Sequence, residues 1–94
     1  EPVMAVLDEY REVIDQIDDE LMQLLAKRMS MAERIGEYKK DNKLTILQTS
    51  RWNEILERGM NLGKNLGLSY EFVSNFLESV HMESINHQNR VMNS

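Results

Sequence analysis

LDEYREVIDQIDDELMQLLAKRMSMAERIGEYK, residues 7–39, reads as one unbroken helix with cations set into its apolar seam. The apolar positions are Leu7, Tyr10, Ile14, Ile17, Leu21 and Leu24, then Met31, Ile35 and Tyr38. They step by three and four, as one face of a helix requires. Arg28 fills the slot between Leu24 and Met31, Arg11 lies beside the seam next to Tyr10 and Ile14, and Lys39 follows one turn after Ile35. A charge at a seam position is costly unless something anionic meets it. Two readings stay open: a structural ion pair with a carboxylate of another helix, or a site for an anionic ligand between helices.

Working outward, nothing from Met4 to Lys40 interrupts this helix except Gly36, which a helix accepts at a cost of roughly 1 kcal/mol. Pro2 suits the first turn, and Lys39, Lys40 and Lys43 suit a C-terminus that stops near Asp41-Asn42. Such a helix is about 55 Å long. A compact domain of this size has a radius of gyration near roughly 12 Å. The chain alone cannot cover both ends, so a homodimer is expected.

Size and composition narrow the classes. Ninety-four residues make one domain, with 11 basic against 16 acidic residues and a net charge of −5, which argues against general nucleic-acid binding. Without cysteine there is neither a disulfide framework nor a thiolate metal site. No apolar run is long enough to span a membrane, so a cytoplasmic protein is the default expectation. The opening Glu1-Pro2, without an initiator Met, fits a domain taken from a larger enzyme.

Residues 43–48 form a short apolar connector, after which Thr49 or Ser50 is expected to cap a second helix carrying Trp52, Ile55, Leu56, Met60 and Leu62. Gly67 fits the left-handed residue that closes it, and Ser69 the cap of the next helix. Gly59, Gly63 and Gly67 recur every four residues, which suggests close helix packing plus a terminal cap. The third helix puts Val73, Phe76, Leu77, Val80 and Ile85 on its buried side, with Ser84 and Gln88 stacked on the same face. The expectation is an all-α chain of three helices, at about 3–41, 50–66 and 70–91, with one very long first helix, forming an intertwined helical-bundle homodimer.

Arg28 and Lys39 are 11 residues apart and point the same way, about 16 Å from each other along the axis. Arg11 is about 25 Å from Arg28 on the same helix, so it can join them only from an antiparallel partner. Several cations with no general base suit a dianionic small molecule, because guanidinium groups bind carboxylates bidentately. Ser84 and Gln88 would add neutral hydrogen bonds, whereas Arg51 alone reads as a solvated surface charge. Other chemistries lack support. His81 and His87 are spaced poorly for a shared metal, and His81 reads as a partly buried histidine at the bundle edge. No nucleophilic triad or phosphate loop is present. The acidic group Asp15, Asp18, Asp19 and Glu20 reads as a solvated face, and the seven methionines as core filling.

Arg11, Leu-Leu-Ala-Lys-Arg at 24–28, Ile-Gly-Glu-Tyr-Lys at 35–39, Arg51, and Ser84 with Gln88 stand in an order and spacing that together resemble the all-helical (type II) chorismate mutase family, over essentially the full chain. The resemblance implies conversion of chorismate to prephenate, on the branch toward phenylalanine and tyrosine, by an intertwined homodimer with two shared sites and no cofactor. It implies that Arg28 binds one substrate carboxylate and the partner's Arg11 the other. Lys39 and Gln88 would donate to the ether oxygen of the breaking bond, with Arg51 and Ser84 lining the pocket.

One position departs from the family pattern. A glutamate that holds the substrate's ring hydroxyl usually follows the arginine matching Arg51; here Trp52 stands there, and Gln48 replaces an acidic residue a little earlier. The hydroxyl contact would then fall to Gln48, to backbone at 46–48, or to nothing, with retained but weaker activity expected of the isolated domain. The resemblance also allows fusion to prephenate dehydratase, to prephenate dehydrogenase or, by preference, to 3-deoxy-D-arabino-heptulosonate 7-phosphate synthase. Isochorismate-pyruvate lyase activity on the same scaffold and a non-catalytic dimerisation module are the alternative functions.

Overall fold

The structure is a computed structural model that describes residues 2–46 and 48–94. It is all-helical: α1 spans Val3–Asp41, α2 Thr49–Asn65 and α3 Tyr70–Met92, with no strand among the described residues. α3 packs against both of the others, while no Cα of α1 approaches one of α2 within 8 Å. α1 and α3 run in the same direction, since Ser84 donates to the Met29 thioether, Gly36 meets Gln88 and Lys40 reaches the Ser94 carbonyl. α2 runs antiparallel along α3, with Gly59 against Leu77 and Gly63 against Val73.

The buried face of α1 is Met29, Ala32 and Gly36, one step round from the seam that dominates the sequence. The seam stays exposed: Tyr10 keeps 65% of its surface, Ile14 and Ile17 55% each, and Leu24 63%. Only the C-terminal part of α1 has an intrachain neighbour. The remainder projects, giving extents of 62 × 28 × 14 Å and a radius of gyration of 17.6 Å, against roughly 12 Å for a compact domain of this length.

The ends of the helices show why they stop. Gly67 has φ +78°, a left-handed conformation that costs glycine nothing. The Ser69 hydroxyl accepts from the Phe72 amide at 3.3 Å and caps α3. The expected hydroxyl cap of α2 is not formed. Thr49 already lies inside the helix, Gln48 takes the cap position in extended conformation, and no side chain there accepts an amide. On the flank of α1 and α3, His87 sits between Glu33 at 2.9 Å and Glu83 at 3.2 Å and ties the two helices together.

Candidate active site

The three helices line an open cavity of about 410 Å³ near the C-terminal end of α1. α1 contributes Arg28, Met31, Ala32, Ile35 and Lys39 to its wall; α2 and the connector contribute Ile46, Gln48, Arg51 and Ile55; α3 forms the floor with His81, Ser84, Ile85 and Gln88. The floor residues recur at three and four because α3 presents one face to α1 and α2 at once.

Two contacts organise the site. The Arg28 guanidinium donates through Nη1 to the Ser84 hydroxyl, which itself points its hydrogen toward the Met29 sulfur at 3.7 Å. The Lys39 ammonium donates to the Gln88 Oε1 at 2.9 Å and to the Ile46 carbonyl at 2.7 Å. Neither cation has a carboxylate partner among the described residues, and no carboxylate lines the cavity. Burial lowers the pKa of Arg28, with the nearby Arg51 adding to the effect, and burial likewise lowers that of Lys39. Three cations thus line one cavity, and the two that hydrogen-bond there, Arg28 and Lys39, do so to neutral groups. Among the described residues that arrangement forms no structural ion pair and leaves the positive charge of the cavity without an intrachain counter-charge.

The sequence-derived candidates separate into groups. Arg28, Lys39, Gln48, Arg51, Ser84 and Gln88 come together around the cavity. Arg11 does not: it lies on the projecting part of α1, mostly exposed, 3.6 Å from Asp8. Trp52 does not line the cavity either; its ring packs on His81, with centroids 4.7 Å apart and planes tilted by 31°. The connector backbone proposed for a ring hydroxyl includes Leu47, which lies outside the described residues.

Two roles escaped the sequence reading. The backbone at 46–48 was expected to meet a ring hydroxyl, but the Ile46 carbonyl instead accepts from Lys39, a pairing with no side-chain signal. His81 faces the cavity, where burial, Arg28 and Lys39 all lower its pKa. Only the packing of α2 on α3 turns it from an edge residue into a wall of the site.

The family described as chorismate mutase type II matches residues 10–89. A bifunctional chorismate mutase/prephenate dehydratase of Aquifex aeolicus is 41% identical over 63 residues, covering 67% of this chain and 17% of that protein. The protein of the same name from Buchnera aphidicola subsp. Schizaphis graminum is 32% identical over 84 residues, 89% of this chain and 22% of the relative. A T-protein of Haemophilus influenzae is 29% identical over 87 residues, 93% and 23% respectively. The chain therefore spans no more than 23% of the length of these relatives.

Proposed function

Since the chain belongs to the chorismate mutase type II family, we propose that it isomerises chorismate to prephenate, in the cytoplasm and as a homodimer with two shared active sites. The observation that carries this reading is the cavity's pair of uncompensated cations, Arg28 and Lys39, each hydrogen-bonded to a neutral residue of α3.

Chorismate presents two carboxylates, an enolpyruvyl ether and a ring hydroxyl. Its rearrangement breaks one C–O bond and forms one C–C bond in a single concerted step, which requires no nucleophile, proton relay, metal or cofactor. What the protein must do is hold the flexible arm in a chair-like conformer and meet charge that develops on the ether oxygen. Ser84 fixes one guanidinium nitrogen of Arg28, and the other donors of the fork remain for a carboxylate. Lys39 has three ammonium protons; Ile46 and Gln88 take two, and the third is left for the ether oxygen. Because Gln88 accepts through Oε1, its amide N–H groups are free to donate to the same oxygen. A neutral amide needs no protonation to do so. Arg51 and Gln48, on the α2 side, complete substrate placement.

The second carboxylate is assigned to the partner's Arg11, since Arg11 and Arg28 of one chain are about 25 Å apart. The exposed seam from Leu7 to Leu24 supports a second α1 lying along the first. The names of two relatives speak for prephenate dehydratase as a fused neighbour; fusion or association with 3-deoxy-D-arabino-heptulosonate 7-phosphate synthase rests on analogy alone.

Prephenate and salicylate quantified separately decide the reaction. Loss of chorismate absorbance matched by prephenate is the expected result. Salicylate from isochorismate, without prephenate from chorismate, would make the chain an isochorismate-pyruvate lyase. Neither product, with no binding of a bicyclic transition-state analogue, would leave a dimerisation or regulatory module.

A further inference from the structure

His81 is the cavity side chain that the mutase chemistry above leaves without a task. It lies on α3 one turn before Ser84 and Ile85 and two turns, about 10 Å, before Gln88. The other polar groups of that floor are engaged: Ser84 accepts from Arg28 and Gln88 accepts from Lys39. Neither ring nitrogen of His81 has a protein hydrogen-bond partner among the described residues. The ring is nonetheless held, because Trp52 packs on it at 4.7 Å from behind the cavity wall.

Its charge state follows from its surroundings. Arg28 and Lys39 face it from α1 and Arg51 lines the cavity from α2, while among the described residues no carboxylate lines the cavity. Burial and those two α1 cations lower its pKa from the usual histidine value, which favours the neutral imidazole. A neutral imidazole offers one donor and one acceptor nitrogen. It therefore pairs with a hydroxyl in either sense and does not compete with arginine or lysine for a carboxylate. Of the polar groups on chorismate, the carboxylates and the ether oxygen are matched by the cations and by Gln88. The ring hydroxyl is the neutral group left over.

We propose that His81, steadied by Trp52, hydrogen-bonds the ring hydroxyl of the substrate and sets selectivity for a hydroxylated ring. The inference rests on the mutase reading. His81 touches the substrate, and Trp52 is a positioning residue that acts through it. Gln48, exposed at the cap of α2, is the competing partner for the same hydroxyl.

The test compares kcat/KM for chorismate with that for deoxychorismate, in which hydrogen replaces the ring hydroxyl. In His81→Leu the ratio between the two substrates is expected to shrink by about tenfold, the usual effect of losing one hydrogen bond to a bound group. His81→Gln restores most of the ratio, and Trp52→Leu shrinks it in the native protein with little further effect once His81 is already leucine. An unchanged ratio in His81→Leu, or a collapse in Gln48→Ala in its place, overturns this inference and leaves the mutase reading standing. A wild-type chain that makes no prephenate overturns both.

Discussion

Lys39 is charged in a place that disfavours charge, and its behaviour with pH follows from that. Burial lowers its pKa below the usual lysine value of 10.5. The ammonium form, which donates to Gln88 and to the Ile46 carbonyl, is present below that pKa and is lost as pH rises through it. The alkaline limb of kcat/KM should therefore fall below pH 10.5, and Lys39→Arg should remove the limb from the accessible range because guanidinium stays charged. Lys39→Ala should lower turnover about a hundredfold, some 3 kcal/mol, as when any donor aimed at developing charge is deleted. Near-normal turnover in that variant would exclude Lys39 from the ether contact. Arg28 and Lys39 were legible in the sequence because a cation in an apolar stripe is anomalous in one dimension already. His81 was not, because its meaning depends on Trp52 and on two cations that are distant along the chain and adjacent only after folding.

Gly36 sets how closely α1 approaches α3 beside Gln88. A methyl group there would lie 3.1 Å from the Gln88 Cα and 3.2 Å from its carbonyl oxygen, both backbone atoms that cannot swing aside. Gly36→Ala gains about 1 kcal/mol of helix propensity. It must also push the two helices apart by a few tenths of an ångström, which loosens the 2.9 Å contact between Lys39 and Gln88. The expected outcome is little or no rise in Tm together with a several-fold fall in kcat. A full gain in stability at unchanged kcat would show that the approach is not needed. Gly67→Ala is the contrast: nothing lies near its added methyl group, but φ +78° strains any L residue. It should lose about 1 kcal/mol of stability in a denaturant melt and keep its kcat. At this scale Gly67 and Ser69 were readable because each residue type does one job at a helix end. The start of α2 was not, since Thr49 and Ser50 are both good caps by type, and type does not say which residue turns out of the helix.

As a whole, the chain is elongated, with extents of 62 × 28 × 14 Å. Its all-helical class and its long first helix were legible because a seam repeating over nine turns has no other periodic reading. Which face of α1 packs inside the chain was not, because the stronger apolar stripe is the one left bare. Burying Leu7, Tyr10, Ile14, Ile17, Leu21 and Leu24 is worth roughly 1.5–3 kcal/mol for each large side chain, which is enough to hold a second chain along α1. Ile14→Asp and Leu21→Asp together should convert a dimer into a poorly folded monomer by sedimentation velocity and circular dichroism. The sharing of sites has its own test. Arg11→Ala and Arg28→Ala chains should each be nearly inactive alone. In a heterodimer of the two, one site keeps both arginines and the other loses both. Random mixing after joint refolding should then restore about a quarter of the wild-type sites, as two-fold symmetry demands. If heterodimers form, shown by native mass spectrometry, and activity stays absent, Arg11 does not act across the interface. The second carboxylate would then belong to Arg51, the remaining cation of the cavity wall.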